Sequence, residues 1–152
     1  MIDVLHPRCC GLDVHKKFVT ACVFIRTPSG TVTRAVQEFS TMTADLLRLN
    51  DWLTEYEVTH VAMESTGVYW KPVWNLLEGQ FEQLLVNPTH MKAVPGRKTD
   101  VKDAEWIADL LQHGLLQPSF VPDRPERELR ELTRYRKQQV QARSSEGNRL
   151  QK

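Results

Sequence analysis

The first third of the chain alternates apolar stretches with short polar turns, a pattern typical of hairpin-connected β-strands. Residues 8–15 and 18–25 are almost continuously apolar, whereas residues 31–39 alternate apolar and polar positions. Continuous apolar runs indicate strands buried on both faces, and alternation indicates a strand with one exposed face. The polar pair at 16–17 and the Thr-Pro-Ser-Gly segment at 27–30 are turn signals. We therefore predict three strands joined in series.

Beyond residue 40, apolar spacing alternates between helical and extended patterns. The predicted elements are a helix over 44–56 capped by Thr43, a strand over 60–64, a helix from Tyr69 to Gly79, a strand over 81–86 and a helix from Thr99 or Asp100 to about His113, stopped by Gly114. Strands alternating with helices predict a mixed α/β sheet with right-handed crossovers. This order resembles the ribonuclease-H-like (RuvC-like) arrangement of five strands with flanking helices.

The C-terminal stretch, residues 125–150, predicts one long helix rich in Arg, Gln and Glu. Its apolar stripe is thin, consisting of Leu129, Leu132, Val140 and Leu150, and cannot hold a helix against solvent alone. We expect it to be the beginning of a coiled coil that joins copies of the chain into a homo-oligomer. The predicted organisation is a catalytic domain at 1–117, followed by a linker and this helix at 118–152, with the chain expected to be a fragment.

Composition narrows the class of protein. Hydrophobic residues make up 41% and charged residues 26%, as in soluble globular proteins. No apolar run is long enough to cross a membrane, and an acid near the N-terminus argues against a signal peptide. The three cysteines, Cys9, Cys10 and Cys22, form no C-x-x-C pair and indicate core thiols in a reducing compartment. We expect a cytoplasmic protein, of bacterial type and associated with the nucleoid.

The net charge of +1 hides an asymmetry between the two parts of the chain. Residues 1–120 hold 11 Lys/Arg against 14 Asp/Glu, a balance of −3, and residues 121–152 hold 9 against 5, a balance of +4. An acidic body with a basic tail is typical of proteins in which one part holds a metal and another meets phosphate. A solvated helix face explains the tail equally simply.

Four acidic residues are the candidate catalytic and metal-binding residues. Asp13 interrupts an apolar strand, Glu64 ends the fourth strand, and Asp100 and Asp103 stand three residues apart on one predicted helix face. Converging carboxylates repel one another, and a hard divalent cation such as Mg²⁺ removes that cost. Two such ions clamp the attacking and leaving oxygens of a phosphodiester. Taken singly, Asp100 is also explained as a helix cap and Glu64 as a solvated strand end.

Several stretches closely resemble the DEDD transposases, insertion-sequence enzymes with a RuvC-like N-terminal domain that are related to pilin-gene invertases. The matching stretches are 11–16 (GLDVHK), 63–70 (MESTGVYW), 86–88 (VNP), 98–104 (KTDVKDA), 129–136 (LRELTRYR) and 148–150 (NRL). The resemblance implies a catalytic, metal-binding tetrad of Asp13, Glu64, Asp100 and Asp103, with Mg²⁺ or Mn²⁺ as cofactor. It also implies DNA recombination guided by a bridge-type RNA, with a nucleophilic serine in a second domain that this chain does not contain.

Basic residues in two places are candidate nucleic-acid contacts. They are Lys92, Arg97 and Lys98 in a predicted loop beside the acids, and Arg130, Arg134 and Lys137 on the long helix. Ordinary solvated surfaces explain either set as well. The aromatic residues Tyr69, Trp70 and Trp74 have helical spacing and are expected in the core rather than stacked on bases. His15 shares a strand face with Asp13 but is not expected to be a metal ligand.

Three other functions fit parts of the sequence. A stand-alone, Mg²⁺-dependent nuclease resembling a Holliday-junction resolvase would use the same four acids. An actin-like or sugar-kinase ATPase would need a small Gly/Thr phosphate loop after Asp13, where this chain has Val14-His15-Lys16-Lys17. A non-catalytic structural module would require that the acids do not converge. The main prediction is the metal-binding domain of a transposase.

Overall fold

The computed structural model describes residues 4–64, 67–87, 89 and 103–150, in two compact units, Met1–Ser119 and Phe120–Lys152. The candidate residues Lys92, Arg97, Lys98 and Asp100 lie outside the described residues. The elements are β1 (Arg8–Val14), β2 (Phe18–Arg26), β3 (Val32–Ser40), α1 (Thr43–Glu55), β4 (His60–Glu64), α2 (Trp70–Leu77), β5 (Glu82–Val86), α3 (Asp103–Gln112) and α4 (Arg124–Leu150).

The five strands form one mixed sheet in the order β3-β2-β1-β4-β5. The first three pair antiparallel, whereas β1–β4 and β4–β5 pair parallel. Parallel neighbours require crossover connections, which α1 and α2 supply. The predicted five-stranded mixed sheet with flanking helices is confirmed, and the structure places the first strand beside the fourth.

α3 packs on one face of the sheet, directly over β1. A Cβ added to Gly11 would lie 2.3 Å from the carbonyl oxygen of Ala104 and 2.5 Å from the backbone nitrogen of Ala108. Farther along the helix, the Cys9 thiol lies 3.6 Å from the carbonyl oxygen of Ala108 and donates to it. Because Cys9 precedes Gly11 on β1 while Ala108 follows Ala104 on α3, the helix runs antiparallel to the strand.

The opposite face of the sheet is covered by α1 and α2. Trp52 of α1 meets Phe39 of β3 edge to face, with ring centroids 5.5 Å apart. Each helix buries three large side chains, which are Leu46, Leu49 and Leu53 in α1 and Val73, Trp74 and Leu77 in α2. This second apolar layer makes the sheet the centre of a three-layer α/β unit.

The helix ends only partly follow the sequence prediction. Gly114 ends α3 with φ +67°, and the amides of Gly114 and Leu115 donate to the carbonyls of Leu111 and Leu110, as in a Schellman motif. The glycine stop is therefore confirmed. Thr43 was predicted to cap α1, but it is the first helical residue, and Met42 occupies the cap position without a side-chain hydrogen bond.

The exposure of aromatic and sulfur-containing side chains separates core from surface. Trp74 and all three cysteines are buried as predicted, but Tyr69 is 42% exposed and lies outside the core. Tyr69 directly precedes α2, so its side chain is not held in the helix's apolar stripe. Within the described ranges, no helix combines the length and apolar character needed to cross a bilayer.

The second unit is dominated by α4, none of whose side chains is buried. Its large apolar side chains are more than half exposed, and they are Leu129, Leu132, Tyr135, Val140 and Leu150. An isolated helix with such an exposed stripe gains little from packing. The long helix predicted over 125–150 is present, and its apolar side chains are exposed in the described part of the chain.

Candidate active site

Asp13 and Glu64 end two adjacent parallel strands. The register of β1 and β4 pairs Gly11 with Ala62 and Leu12 with Met63, so the next step places Asp13 beside Glu64. Side chains two apart on a strand share a face, which puts both carboxylates on the face of Gly11 and Ala62. The structure therefore brings together the two strand-borne acids that the sequence singled out.

Asp103 reaches the same edge from the helix layer. It is the first residue of α3 in the described structure and directly precedes Ala104, whose carbonyl oxygen lies against Gly11. Since α3 runs antiparallel to β1, its N-terminus lies toward the end of the strand that carries Asp13. The register thus places Asp13 beside Glu64, and α3 directs Asp103 toward the same edge of the sheet. The fourth predicted acid, Asp100, lies outside the described residues.

Asp13 has a partner that the sequence prediction did not include. The imidazole Nε2 of His15 lies 2.9 Å from Oδ2 of Asp13 and donates a hydrogen bond to it. The same imidazole stacks on Phe18, with ring centroids 4.3 Å apart. The i, i+2 spacing of Asp13 and His15 was the available signal, because it places both on one strand face. The Asp13 side chain keeps 21% of its surface exposed.

Another acid of α3, Glu105, has a structural role. Its carboxylate forms an ion pair with Arg34 of β3, with 3.7 Å between Oε2 and the guanidinium Nη1. The same guanidinium lies 5.0 Å over the ring of Phe24. This pairing ties α3 to the outer strand of the sheet. Glu105 is therefore a suitable control residue for charge changes on the helix.

The three cysteine thiols are held in the protonated form by burial. Cys9 and Cys22 lie on the sheet face beneath α3, and burial raises the pKa of each thiol from 9.0 to about 12. Cys10 lies on the opposite face, and burial raises its pKa well above the ordinary value. A thiol is a nucleophile or soft-metal ligand only as the thiolate. The acids at this edge offer carboxylate oxygens as donors.

The carboxylates fit a hard divalent cation by donor type. Asp13, Glu64 and Asp103 offer only oxygen, which Mg²⁺ prefers over sulfur or imidazole. Among the described residues, no group of three or more His, Cys, Asp or Glu side chains has the spacing of a ready-made metal site. The structure thus assembles the donors at one edge without closing them around an ion.

The candidate nucleic-acid residues of the second unit share one side of α4. A shallow groove of about 490 Å³ is lined by Glu126, Leu129, Arg130, Thr133, Arg134 and Lys137. Arg130 donates to Glu126 at 3.1 Å, which offsets one positive charge. The three basic residues predicted from the sequence therefore lie together, at i, i+4 and i+7, beside the exposed Leu129.

Comparisons with known proteins bear on the family and the fold of the chain. The model of the DEDD_Tnp_IS110 family, described as transposase, matches residues 10–152. Among solved structures, RuvC from Thermus thermophilus is 14% identical with a TM-score of 0.51, over 74% of this chain and 99% of that chain.

Two further structures are similar. RuvC from T. thermophilus in complex with a Holliday junction substrate is 13% identical, with a TM-score of 0.50 over the same shares of the two chains. A Fowlpox virus resolvase with Holliday junction DNA is 16% identical, covers 60% of this chain and 65% of that chain, and has a TM-score of 0.42. No curated protein sequence matches this chain significantly.

Proposed function

Because the chain belongs to the IS110-type family of DEDD transposases, which are DNA-processing enzymes, we propose that its carboxylate edge cuts and rejoins DNA strands with the help of a divalent metal ion. The observation that carries the proposal is the placement of Asp13 beside Glu64, with the N-terminus of α3 and Asp103 toward the same edge. Acids held this close repel one another unless a cation joins them.

Asp13, Glu64, Asp100 and Asp103 would hold Mg²⁺, with Mn²⁺ as a substitute. Bound there, the cation supplies the positive charge that stabilises the oxygens of the DNA strand being cut. The chain's own contribution is orientation: the sheet fixes Asp13 and Glu64 in register, and the His15 imidazole limits the rotation of the Asp13 carboxylate. A nucleophilic serine from a second domain completes the reaction in this proposal.

DNA is the proposed substrate, and a bridge-type guide RNA is a proposed partner. The similar RuvC structure contains a Holliday junction substrate, which supports DNA binding at a fold of this type. The basic side of α4, with Arg130, Arg134 and Lys137, has the charge needed to contact a phosphate backbone. Lys92, Arg97 and Lys98 are proposed to contact DNA beside the acids. We propose a location in the cytoplasm, at the nucleoid, because the proposed substrate is DNA.

A second copy of the chain is the proposed partner of the apolar face of α4. Leu129 and Leu132 are 62% and 66% exposed, and a coiled coil with another copy would cover them. We expect light scattering to show a dimer or larger assembly, and Leu129→Glu with Leu132→Glu to shift it to monomer. A monomeric unaltered chain at tens of micromolar would contradict this part of the proposal.

The proposal is tested by metal-dependent DNA binding. Fluorescence anisotropy of a labelled four-way DNA junction should show tighter binding in Mg²⁺ than in EDTA. Asp13→Asn and Glu64→Gln should each remove most of the DNA affinity gained from Mg²⁺, since loss even of outer-shell groups costs ~10–100-fold in metal affinity. Glu105→Gln, on the same helix, should keep the gain. An undiminished gain in Asp13→Asn would overturn the proposed site.

The alternative function is a stand-alone, structure-specific nuclease. It is favoured by one observation, the similarity to RuvC over 99% of that protein's length. The same junction discriminates between the two functions. Mg²⁺-dependent nicking by this chain alone, abolished in Asp13→Asn, would favour the nuclease. Mg²⁺-dependent binding with little nicking would favour the transposase domain.

A further inference from the structure

The turn between β1 and β2 lies at the carboxylate edge and carries two lysines. Val14 pairs with Val19, and the backbone amide of His15 donates to the carbonyl of Phe18 at 2.8 Å. Lys16 and Lys17 therefore form a two-residue hairpin loop. Asp13 stands three residues before Lys16, so the two cations lie at the strand end from which the candidate active site is built.

This turn is held in place by a residue distant in sequence. The hydroxyl of Thr41 donates to the carbonyl of Lys16 at 2.9 Å, and the amide of Thr41 donates to the carbonyl of Lys17 at 3.1 Å. Thr41 directly follows β3, whose last residue Ser40 pairs with Phe18. Both peptide groups of the loop are thus bonded to the end of the outer strand, which fixes the position of the loop backbone.

Within the described ranges, no acid neutralises the charge of either lysine. Both are exposed, and neither forms an ion pair with any residue in the described part of the chain. By contrast, three arginines of the same unit form ion pairs with acidic side chains. Their ion pairs are Arg8–Glu57, Arg34–Glu105 and Arg48–Asp45. A fixed loop with two uncompensated cations therefore stands beside a group of acids.

We propose that Lys16 and Lys17 bind backbone phosphates of the DNA strand that approaches the carboxylates. The inference rests on the proposed function, because that function brings a DNA strand to the edge of the sheet that carries the acids. A polyanion that approaches Asp13, Glu64 and Asp103 is repelled by them, and cations on the adjoining loop offset that repulsion. Lysine is a point charge on a flexible stem, suited to phosphate contact without base readout.

The experiment is a salt titration of DNA binding without metal. The Kd for a short fluorescein-labelled duplex is measured in EDTA between about 50 and 200 mM salt, with the double variant Lys16→Gln, Lys17→Gln. Each lost phosphate contact lowers the slope of log affinity against log salt by about 0.9. Loss of two contacts therefore lowers the slope by about 1.8. Over this fourfold range of salt, the factor by which affinity falls should be about ten times larger for the unaltered chain than for the variant.

Two controls separate the specific contact from a general charge effect. The pair Lys16→Arg, Lys17→Arg keeps both charges and should retain the slope of the unaltered chain. Arg48→Gln removes a charge that Asp45 already compensates and should also retain it. All variants should unfold at the same temperature as the unaltered chain, since the bonds to Thr41 use backbone atoms of the loop.

Four outcomes would overturn the inference. They are an unchanged slope in the Gln pair, an equal loss of slope in Arg48→Gln, a loss seen with an RNA hairpin but not with DNA, and no DNA binding by the unaltered chain at low salt. Asp13→Asn should retain the slope in EDTA. Failure of the metal site and failure of the lysine contact therefore give different results.

Discussion

Gly11 of β1 and Ala104 of α3 meet backbone to backbone. A Cβ on Gly11 would lie 2.3 Å from the Ala104 carbonyl oxygen, a distance that real Cβ atoms essentially never show. The obstructing atom belongs to the helix backbone and cannot rotate away. This contact sets the distance between the helix that begins with Asp103 and the strand that ends near Asp13. A glycine in the strand interior thus positions the candidate active site.

Gly11→Ala should destabilise the first unit by at least about 2 kcal/mol, because overpacking a core typically costs 1–3 kcal/mol and here the clash is with backbone. Urea unfolding followed by tryptophan fluorescence measures the change. Gly147→Ala is the matched control, since nothing lies within 4 Å of its added Cβ. It should increase helix content by circular dichroism and leave the midpoint unchanged. Equal midpoints for Gly11→Ala and the unaltered chain would contradict the contact.

Divalent metal should raise the stability of the chain through the carboxylate edge. At a hundredfold excess of Mg²⁺ or Mn²⁺ over its Kd, the gain is about 2.7 kcal/mol, because only the folded state binds. Thermal unfolding with and without metal measures it. Asp13→Asn should lose the gain yet be no less stable without metal, since one repelling charge is gone. Outright destabilisation of Asp13→Asn, with no metal response in the unaltered chain, would make Asp13 a structural anchor.

The unfolding free energy should fall as the pH drops below about 6.5, in part through His60. The pKa of His60 is lowered from 6.5, first by burial and then by the charge of His6, whose ring stacks on it at 3.8 Å, while Glu82 opposes the shift. Below pH 6.5 the unfolded chain takes up this proton more readily than the folded one, so acid favours unfolding.

Comparison of the free energy of unfolding at about pH 7.5 and 5.5 tests this assignment. His60→Gln should show a smaller loss than the unaltered chain. His6→Gln should show an intermediate loss, because burial still lowers the pKa of His60 while the charge of His6 is absent. An identical pH dependence in all three proteins would mean that other groups are responsible.

The three thiols should resist alkylation in the folded protein. With a pKa of about 12, Cys9 and Cys22 hold about a thousandfold less thiolate at pH 8 than a thiol with the ordinary pKa of 9.0. Burial raises the pKa of Cys10 in the same direction. Mass spectrometry after iodoacetamide treatment should show no label until guanidinium chloride unfolds the chain, which should then take three. Rapid labelling of the folded protein would contradict the burial of these thiols, because it would show that the helices covering the sheet open.

Much of the fold followed from local sequence pattern. The apolar runs and turn signals predicted every described strand within one or two residues. This succeeds because the spacing of apolar residues along a short stretch of sequence differs between strands and helices. The glycine stop of α3 at Gly114 and the burial of the cysteines were predictable for the same reason. The order of the strands in the sheet, which puts Asp13 beside Glu64, came from the structure.

Only the tertiary structure decided the contacts between distant residues. The approach of Ala104 to Gly11, the bonds from Thr41 to the Lys16-Lys17 loop and the pairing of Glu105 with Arg34 all depend on how a helix or strand lies over the sheet. Even the hydrogen bond from His15 to Asp13 required the strand to end where it does. Periodicity specifies which side chains share a face, whereas packing distances between elements are set by the shapes of both surfaces together.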